Sequence, residues 1–367
     1  EPPEVDALME KIRGAGVPLR EFVGGEPFYG IKTGFNGAFL LTSPERDELV
    51  AREPALAELI RPYLRGQDIG RWACDRADLH MIVLRSSENH PWPWAKADDP
   101  EAVFATCHPA LHAHMKQHEE RLRKRDDQGR YWWELRSCAY YHLFEQPKIV
   151  YQEIQFHPCY AWDDSGLFGN NKTFCIPSAD PYLLGVLNSP LMWWSNWRYL
   201  PHMKDEALTP AGFLMAALPI AQPTPDVRAA VESRVSELVT STRADHDAAR
   251  VLLDWLRSEH GLDKPGHALQ DLGALDYVAF EAEVKKRRPK SLGPFKPAHV
   301  QGLRDAWETY GKPAVARRIR ADQLEFEVAR LVELAYGLTA EDVRLLWETA
   351  PPRMPGRGPD GMVTRAE

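Results

Sequence analysis

The chain has 367 residues, 27% of them charged, and a formal net charge of −8, which is long enough for two or three domains with sizeable cores. An acidic total excludes a whole-molecule cationic field, so any contact with a polyanion has to come from local basic patches. The most apolar stretches, 182–197 and 213–221, are short or interrupted by Asn188, Ser189 and Pro190 and so exclude a membrane-spanning helix. Five cysteines without a Cys-x-x-Cys pair fit unpaired thiols in a reducing compartment, with the cytoplasm as the expected location.

Residues 1–17 place Leu8, Met9 and Ile12 at helical spacing and read as a linker helix. Residues 18–222 alternate short β-rich runs with turns, and the runs at 38–41, 81–84, 148–151, 159–162 and 173–176 predict strands of a mixed sheet. Helices are expected where Ser43-Pro44-Glu45 puts proline and acid in a first turn, and from Pro109 to about Arg125. The character changes at Pro225, after which Val227, Val231, Val235, Leu238, Leu252 and Leu256 recur at three- and four-residue spacing, so 223–350 reads as an all-α domain. Its further helices are predicted near 268–287, 298–309 and 313–336, with Gly337 closing one and Thr339 capping the last. The proline- and glycine-rich 351–367 is expected to be a frayed tail. The fold class is therefore α+β, a mixed-sheet domain followed by helices.

The loop Gly30-Ile31-Lys32-Thr33-Gly34-Phe35-Asn36-Gly37-Ala38-Phe39 sets glycine hinges beside a cation, a hydroxyl and an amide. Alone it reads equally as a binding loop or a structural turn. It is followed in order by Pro62-Tyr63-Leu64-Arg65-Gly66-Gln67-Asp68-Ile69, Trp132-Trp133-Glu134-Leu135-Arg136, Pro147-Lys148-Ile149-Val150-Tyr151, Asn170-Asn171-Lys172-Thr173 and Leu183-Leu184-Gly185-Val186-Leu187-Asn188-Ser189. This ordered set, over roughly residues 18–220, resembles the TaqI-like specificity (target recognition) domain of adenine-specific DNA methyltransferases and fused type II restriction-modification enzymes. Family members often carry proline directly after the tyrosine matching Tyr151, where this chain has Gln152.

The resemblance implies duplex DNA as partner and a methyltransferase domain upstream in the same polypeptide, which the non-methionine start Glu1-Pro2-Pro3-Glu4 accommodates. S-adenosylmethionine would bind in that catalytic domain, and no cofactor is expected in this chain. The parent would serve restriction, phage exclusion or methylation. Within this chain no glycine-rich donor loop and no Asn/Asp/Ser-Pro-Pro-aromatic tetrapeptide occurs, so no catalytic residue is assigned. The expected DNA contacts begin with Lys32, Thr33 and Asn36 on the backbone, setting register. Arg65 and Arg71 follow as phosphate clamps, with pairing to Asp68 and Glu58 that braces the turn as the structural alternative. Lys124, Arg125, Arg130 and Arg136 form a locally basic, aromatic-rich tract that reads equally as a solvated helix face. Gln152, Glu153, Gln155, Asn170, Asn171 and Lys172 carry the amides, carboxylate and cation suited to base readout. Lys285 and Arg287, in the most basic run, would grip phosphate nonspecifically or simply favour a helix end.

Three rivals come from the same residues. Asp276 with Glu283-Val284-Lys285 is a formal metal-dependent nuclease pattern. Cys107, His108, His112, His114 and His118 are dense enough to consider zinc, although no metal site is assigned. A protein-interaction or inhibitor module of the same fold would also suit the acidic balance. Most tryptophans, Trp193, Trp194 and Trp197 among them, are expected in the core, and Trp92 and Trp94, flanked by prolines, are the better candidates for exposed stacking.

Overall fold

The computed structural model describes residues 1–75, 78–361 and 363. The chain forms two compact units, one of residues 17–179 and 199–220, the other of 1–16, 180–198 and 221–367. The 180–198 segment, read from sequence as part of the sheet domain, belongs to the helical unit.

The first unit is α+β, and two sheets larger than a strand pair lie among its described residues. The larger orders its strands as Phe28–Tyr29, Thr173–Ile176, Lys148–Gln152, Tyr160–Asp163 and Trp72–Ala73. Its pairings are antiparallel except the last, which is parallel. The central strand Lys148–Gln152 is buried on both faces over its first four residues, as expected where β-branched and aromatic side chains fill a sheet interior. Register places Tyr151 between Phe174 and Tyr160, and Tyr151 stacks on Phe174 with centroids 5.3 Å apart. The smaller sheet runs Leu40–Thr42, Leu79–Ile82, Ile60–Leu64 and Phe168–Gly169. Ala38 and Phe39, the first half of the strand expected over 38–41, instead end one helical turn, Asn36–Phe39, before strand Leu40–Thr42, and the Thr33 hydroxyl anchors that turn by donating to Asn36 Oδ1 at 2.6 Å. The single helix expected from Pro109 is two, Pro109–Lys116 and Glu119–Lys124.

A buried ion pair closes the large sheet. The Lys148 ammonium donates to Asp163 and, at 2.6 Å, to the Phe144 carbonyl, and both side chains are only 1% exposed. Asp163 also accepts from the Ser165 amide and hydroxyl and the Leu167 amide at 2.8–2.9 Å, so its lone pairs are used and the turn after its strand is defined. A buried charge costs several kcal/mol unless paired and hydrogen-bonded, and here both conditions are met.

The second unit is helical. Its longest element, Pro225–His260, starts at the Thr224 cap and stops at Gly261, whose φ of 64° suits glycine. Helix Pro181–Leu187 approaches it closely enough that a Cβ on Gly185 would lie 2.9 Å from Val231. Trp193 and Trp194 are buried as expected. The Trp193 indole donates to the Pro352 carbonyl at 2.9 Å, and Met354 is 3% exposed. Residues 351–358 therefore pack rather than fray, because apolar contacts and one satisfied carbonyl hold them; of the expected tail, 362 and 364–367 lie outside the described residues. In Lys312–Ala335, Glu333 is buried, and burial pushes its carboxyl up to about 7 despite Arg330 at 2.5 Å.

Two outcomes follow. Lys148→Ala leaves Asp163 buried without its partner and is expected to cost about 3–5 kcal/mol in chemical denaturation. Between the ordinary carboxyl value of 4.5 and about 7, folded Glu333 holds a proton that the unfolded chain has released. Stability from this residue therefore falls as pH rises through that window and is flat above it, and Glu333→Gln is expected to remove the slope in urea unfolding run across the window.

Candidate nucleic-acid interface

The edge of the large sheet shapes the site. Strand Phe28–Tyr29 pairs with Thr173–Ile176 so that Tyr29 lies opposite Phe174. Phe28 turns into the core while Tyr29 stays 58% exposed, the side-to-side alternation of any strand. Beyond it the Gly30 amide donates to the Thr173 carbonyl at 2.9 Å and the Ile31 amide to Gly169 at 2.7 Å. A Cβ on Gly30 would sit 1.8 Å from the Asn170 carbonyl oxygen, so this approach requires glycine. Gly34 has a φ of 72° and turns the loop. On the other side, the Glu153 amide donates to the Lys172 carbonyl at 3.0 Å. Loop 30–34, turn 170–172 and the end of the central strand thus converge.

They open onto a cavity of about 530 Å³ lined by Tyr29, Ile31, Lys32, Arg136, Tyr140, Glu153, Asn171 and Phe174, among others. Segment 136–141 forms the facing wall. It is held by Asn89, whose side-chain Oδ1 accepts from the Ser137 hydroxyl and, at 3.1 Å, from the Cys138 amide. Lys32 and Arg136 both reach Asp127, at 3.1 and 3.6 Å, and stay 59% and 68% exposed. One carboxylate between two cations leaves this wall net positive. Across the cavity, Glu153 pairs with Lys172 at 2.9 Å.

Arg125 supports the loop from behind. It is 7% exposed and donates to the carbonyls of Thr33 at 2.6 Å, Trp132 at 3.0 Å, Leu122 at 3.3 Å and Glu134. Its guanidinium lies 4.8 Å from the Phe39 ring centroid. Burial lowers its pKa to about 10, opposed by Asp127, which leaves it charged at neutral pH. Beside it the fully buried Glu134 carboxylate accepts from the Ser87 amide at 3.0 Å, the Ser87 hydroxyl, the Trp94 indole at 3.0 Å and the Tyr131 amide at 3.3 Å.

Of the residues expected to contact DNA, Lys32, Arg136, Glu153 and Asn171 line one cavity, and Lys172 pairs at its rim. Thr33 and Arg125 lie buried behind it and brace it. Asn36 is exposed and accepts from Thr33, while the Asn170 side chain accepts from the Lys172 amide at 2.9 Å. The Arg65 guanidinium makes two hydrogen bonds to Asp68, at 2.8 and 2.9 Å, and its backbone amide a third at 2.9 Å, the bracing alternative, and the Gln152 amide donates to the Gly66 carbonyl in the same turn. Arg71 donates to the Pro158 carbonyl at 3.2 Å, and Gln155 is buried against Cys159 and Leu208. Lys124 pairs with Glu120, and Arg130 reaches the Ala95 carbonyl at 3.3 Å. Lys285 and Arg287 sit on helix Tyr277–Arg287 of the other unit, paired with Glu281 and Glu283.

Other expectations change. Trp94 is fully buried, stacks on Trp92 at 4.6 Å and donates to Glu134, so it offers no exposed ring. Glu283 and Lys285 share a helix capped by Asp276, whose carboxylate accepts from the Ala279 amide at 2.8 Å. All three are thus engaged in helix capping or ion pairs. His108 and His112 pair with Glu53 and Glu101, and His114 bonds the Ala38 carbonyl. Among the described residues no three His, Cys, Asp or Glu side chains group to hold a metal. Sequence reasoning missed Tyr29, Tyr140 and Phe174. The one signal for Tyr29 was its place immediately before the glycine loop.

The fold is α+β with a long helical region. Residues 224–332 match a domain of unknown function, DUF8810. No curated protein matches the chain. Among solved structures, the Type IIL restriction-modification enzyme MmeI in complex with DNA aligns with a TM-score of 0.47 at 14% identity over 89% of this chain. The chain spans only 35% of that protein's length.

Arg125→Met leaves several buried carbonyls without a donor and is expected to cost about 2–3 kcal/mol in chemical denaturation. Lys32→Ala, losing only an exposed pair, is expected to cost under about 0.5 kcal/mol.

Proposed function

We propose that the sheet unit is a duplex-DNA recognition module that selects the site on which a catalytic domain acts, in the manner of the target recognition domains its ordered motifs resemble. The observation that carries this is the single cavity gathering Lys32, Arg136, Glu153 and Asn171. A net positive wall supplies sequence-independent attraction to phosphate. The opposite wall presents a carboxylate, which accepts from a cytosine amino group, and an amide, which reads adenine. Lys172, held by Glu153, adds a donor suited to guanine. The whole-chain charge of −8 opposes this attraction, which is therefore confined to the local cations of that wall. Methyl transfer to adenine, with S-adenosylmethionine as donor, would belong to the catalytic partner.

Selection from a pool of randomised duplexes at moderate salt tests the proposal, and enrichment of a defined site is the expected outcome. Lys32→Ala and Arg136→Ala are each expected to lower the slope of log affinity against log salt by about one. Glu153→Ala is expected to relax preference at one base pair by a factor corresponding to about 1–3 kcal/mol. Recovery of an unenriched pool would overturn the reading in favour of an interaction module that does not bind DNA.

A further inference from the structure

Tyr29 is a large ring left 58% exposed at the edge of the cavity. It is rigidly placed: its edge meets Phe174 at 5.8 Å, and Phe174 is stacked on the buried Tyr151. An exposed ring fixed in this way is a stacking platform, because the cost of ordering it is already met in folding. The cavity, at about 530 Å³, falls within the range of small-molecule sites, a size that suits one nucleotide.

Three kinds of group surround that platform. Lys32 and Arg136 offer cations to one side, with Asp127 offsetting a single charge. Glu153 offers a carboxylate on the other, and Asn171 an amide that both donates and accepts. An aromatic face, an anion-seeking wall and a hydrogen-bonding wall match the base, phosphate and base edge of a nucleotide.

We propose that this cavity binds one unpaired nucleotide whose base carries an exocyclic amino group, with the base on Tyr29, the phosphate against the exposed cations Lys32 and Arg136, and the amino group donating to Glu153. Thymine is disfavoured because both its exocyclic oxygens are acceptors and would face the carboxylate. The inference deepens the DNA reading of the same cavity and rests on it only for the source of the nucleotide. That source is either a free mononucleotide or a residue unstacked from DNA, where unstacking costs a few kcal/mol and least when the base has no partner.

The experiment uses the full chain and three probes: dCMP, a duplex with one bulged deoxycytidine, and the same duplex fully paired. The bulged duplex is expected to bind about tenfold tighter than the paired one, the scale of one base–aromatic stack. A bulged thymidine is expected to gain less than a bulged deoxycytidine. Tyr29→Ala is expected to reduce the bulge preference below twofold and Tyr29→Phe to retain it, which separates loss of the ring from misfolding. Competition by dCMP assigns the site to free and DNA-borne nucleotides alike, and bulge preference without competition assigns it to DNA-borne ones. Equal affinity for bulged and paired duplexes with no dCMP binding overturns the inference and leaves the duplex reading intact. Binding of dCMP without either duplex supports the inference and overturns the duplex reading, and binding of none of the three overturns both.

Discussion

The site depends on one buried guanidinium. Arg125 donates into the carbonyls of Thr33, Leu122, Trp132 and Glu134, joining the glycine loop to the tryptophan-rich segment across 92 residues of sequence in the Thr33 contact. Those of Thr33, Trp132 and Glu134 belong to irregular backbone and that of Leu122 to the last turn of a helix, places where buried carbonyls must find donors outside a regular ladder. A planar group with five donors in a fixed fork meets several at once, which a lysine cannot do. With Thr33 and Glu134 held, Lys32 and Arg136 follow, because each is within two residues of a tethered carbonyl and both converge on Asp127.

The sheet adds the second constraint. Lys148 and Asp163 bury opposite charges at the end of two paired strands, and the pairing specifies register, since a slip would separate them and strand two charges in the interior. Register then decides that Tyr29 stands opposite Phe174 and that Glu153 emerges beside Lys172. Rigid elements therefore carry the cavity, and only the loop and turn tips contribute flexible side chains. Such a division suits recognition, where ordering a side chain on binding costs affinity.

Burial explains why charge in the sequence is a poor guide to charge available for binding. Arg65 and Arg125 read as phosphate contacts, yet the first is committed to Asp68 and the second to backbone carbonyls. Trp94, a candidate stacking ring, lies in the core and satisfies Glu134. Conversely Tyr29 carried little signal, because exposure of one residue in a two-residue edge strand depends on which face the neighbouring strand covers. The helical unit was more legible: the Pro225 start, the Gly337 stop and the burial of Trp193 and Trp194 all follow from local caps and periodicity.

The sequence by itself determined the α+β class, most strand and helix positions, the glycine positions that permit the loop, and which segments carry amides, carboxylates and cations. These are local properties, set by side-chain period, caps and backbone freedom within a few residues. Only the tertiary structure decided which of those groups share a cavity and which brace it. Partner choice for Arg125 and Lys172 is a competition among hydrogen-bond acceptors that become neighbours only when the sheet registers and the loop closes. A buried arginine and an exposed one are spelled alike, and desolvation separates them.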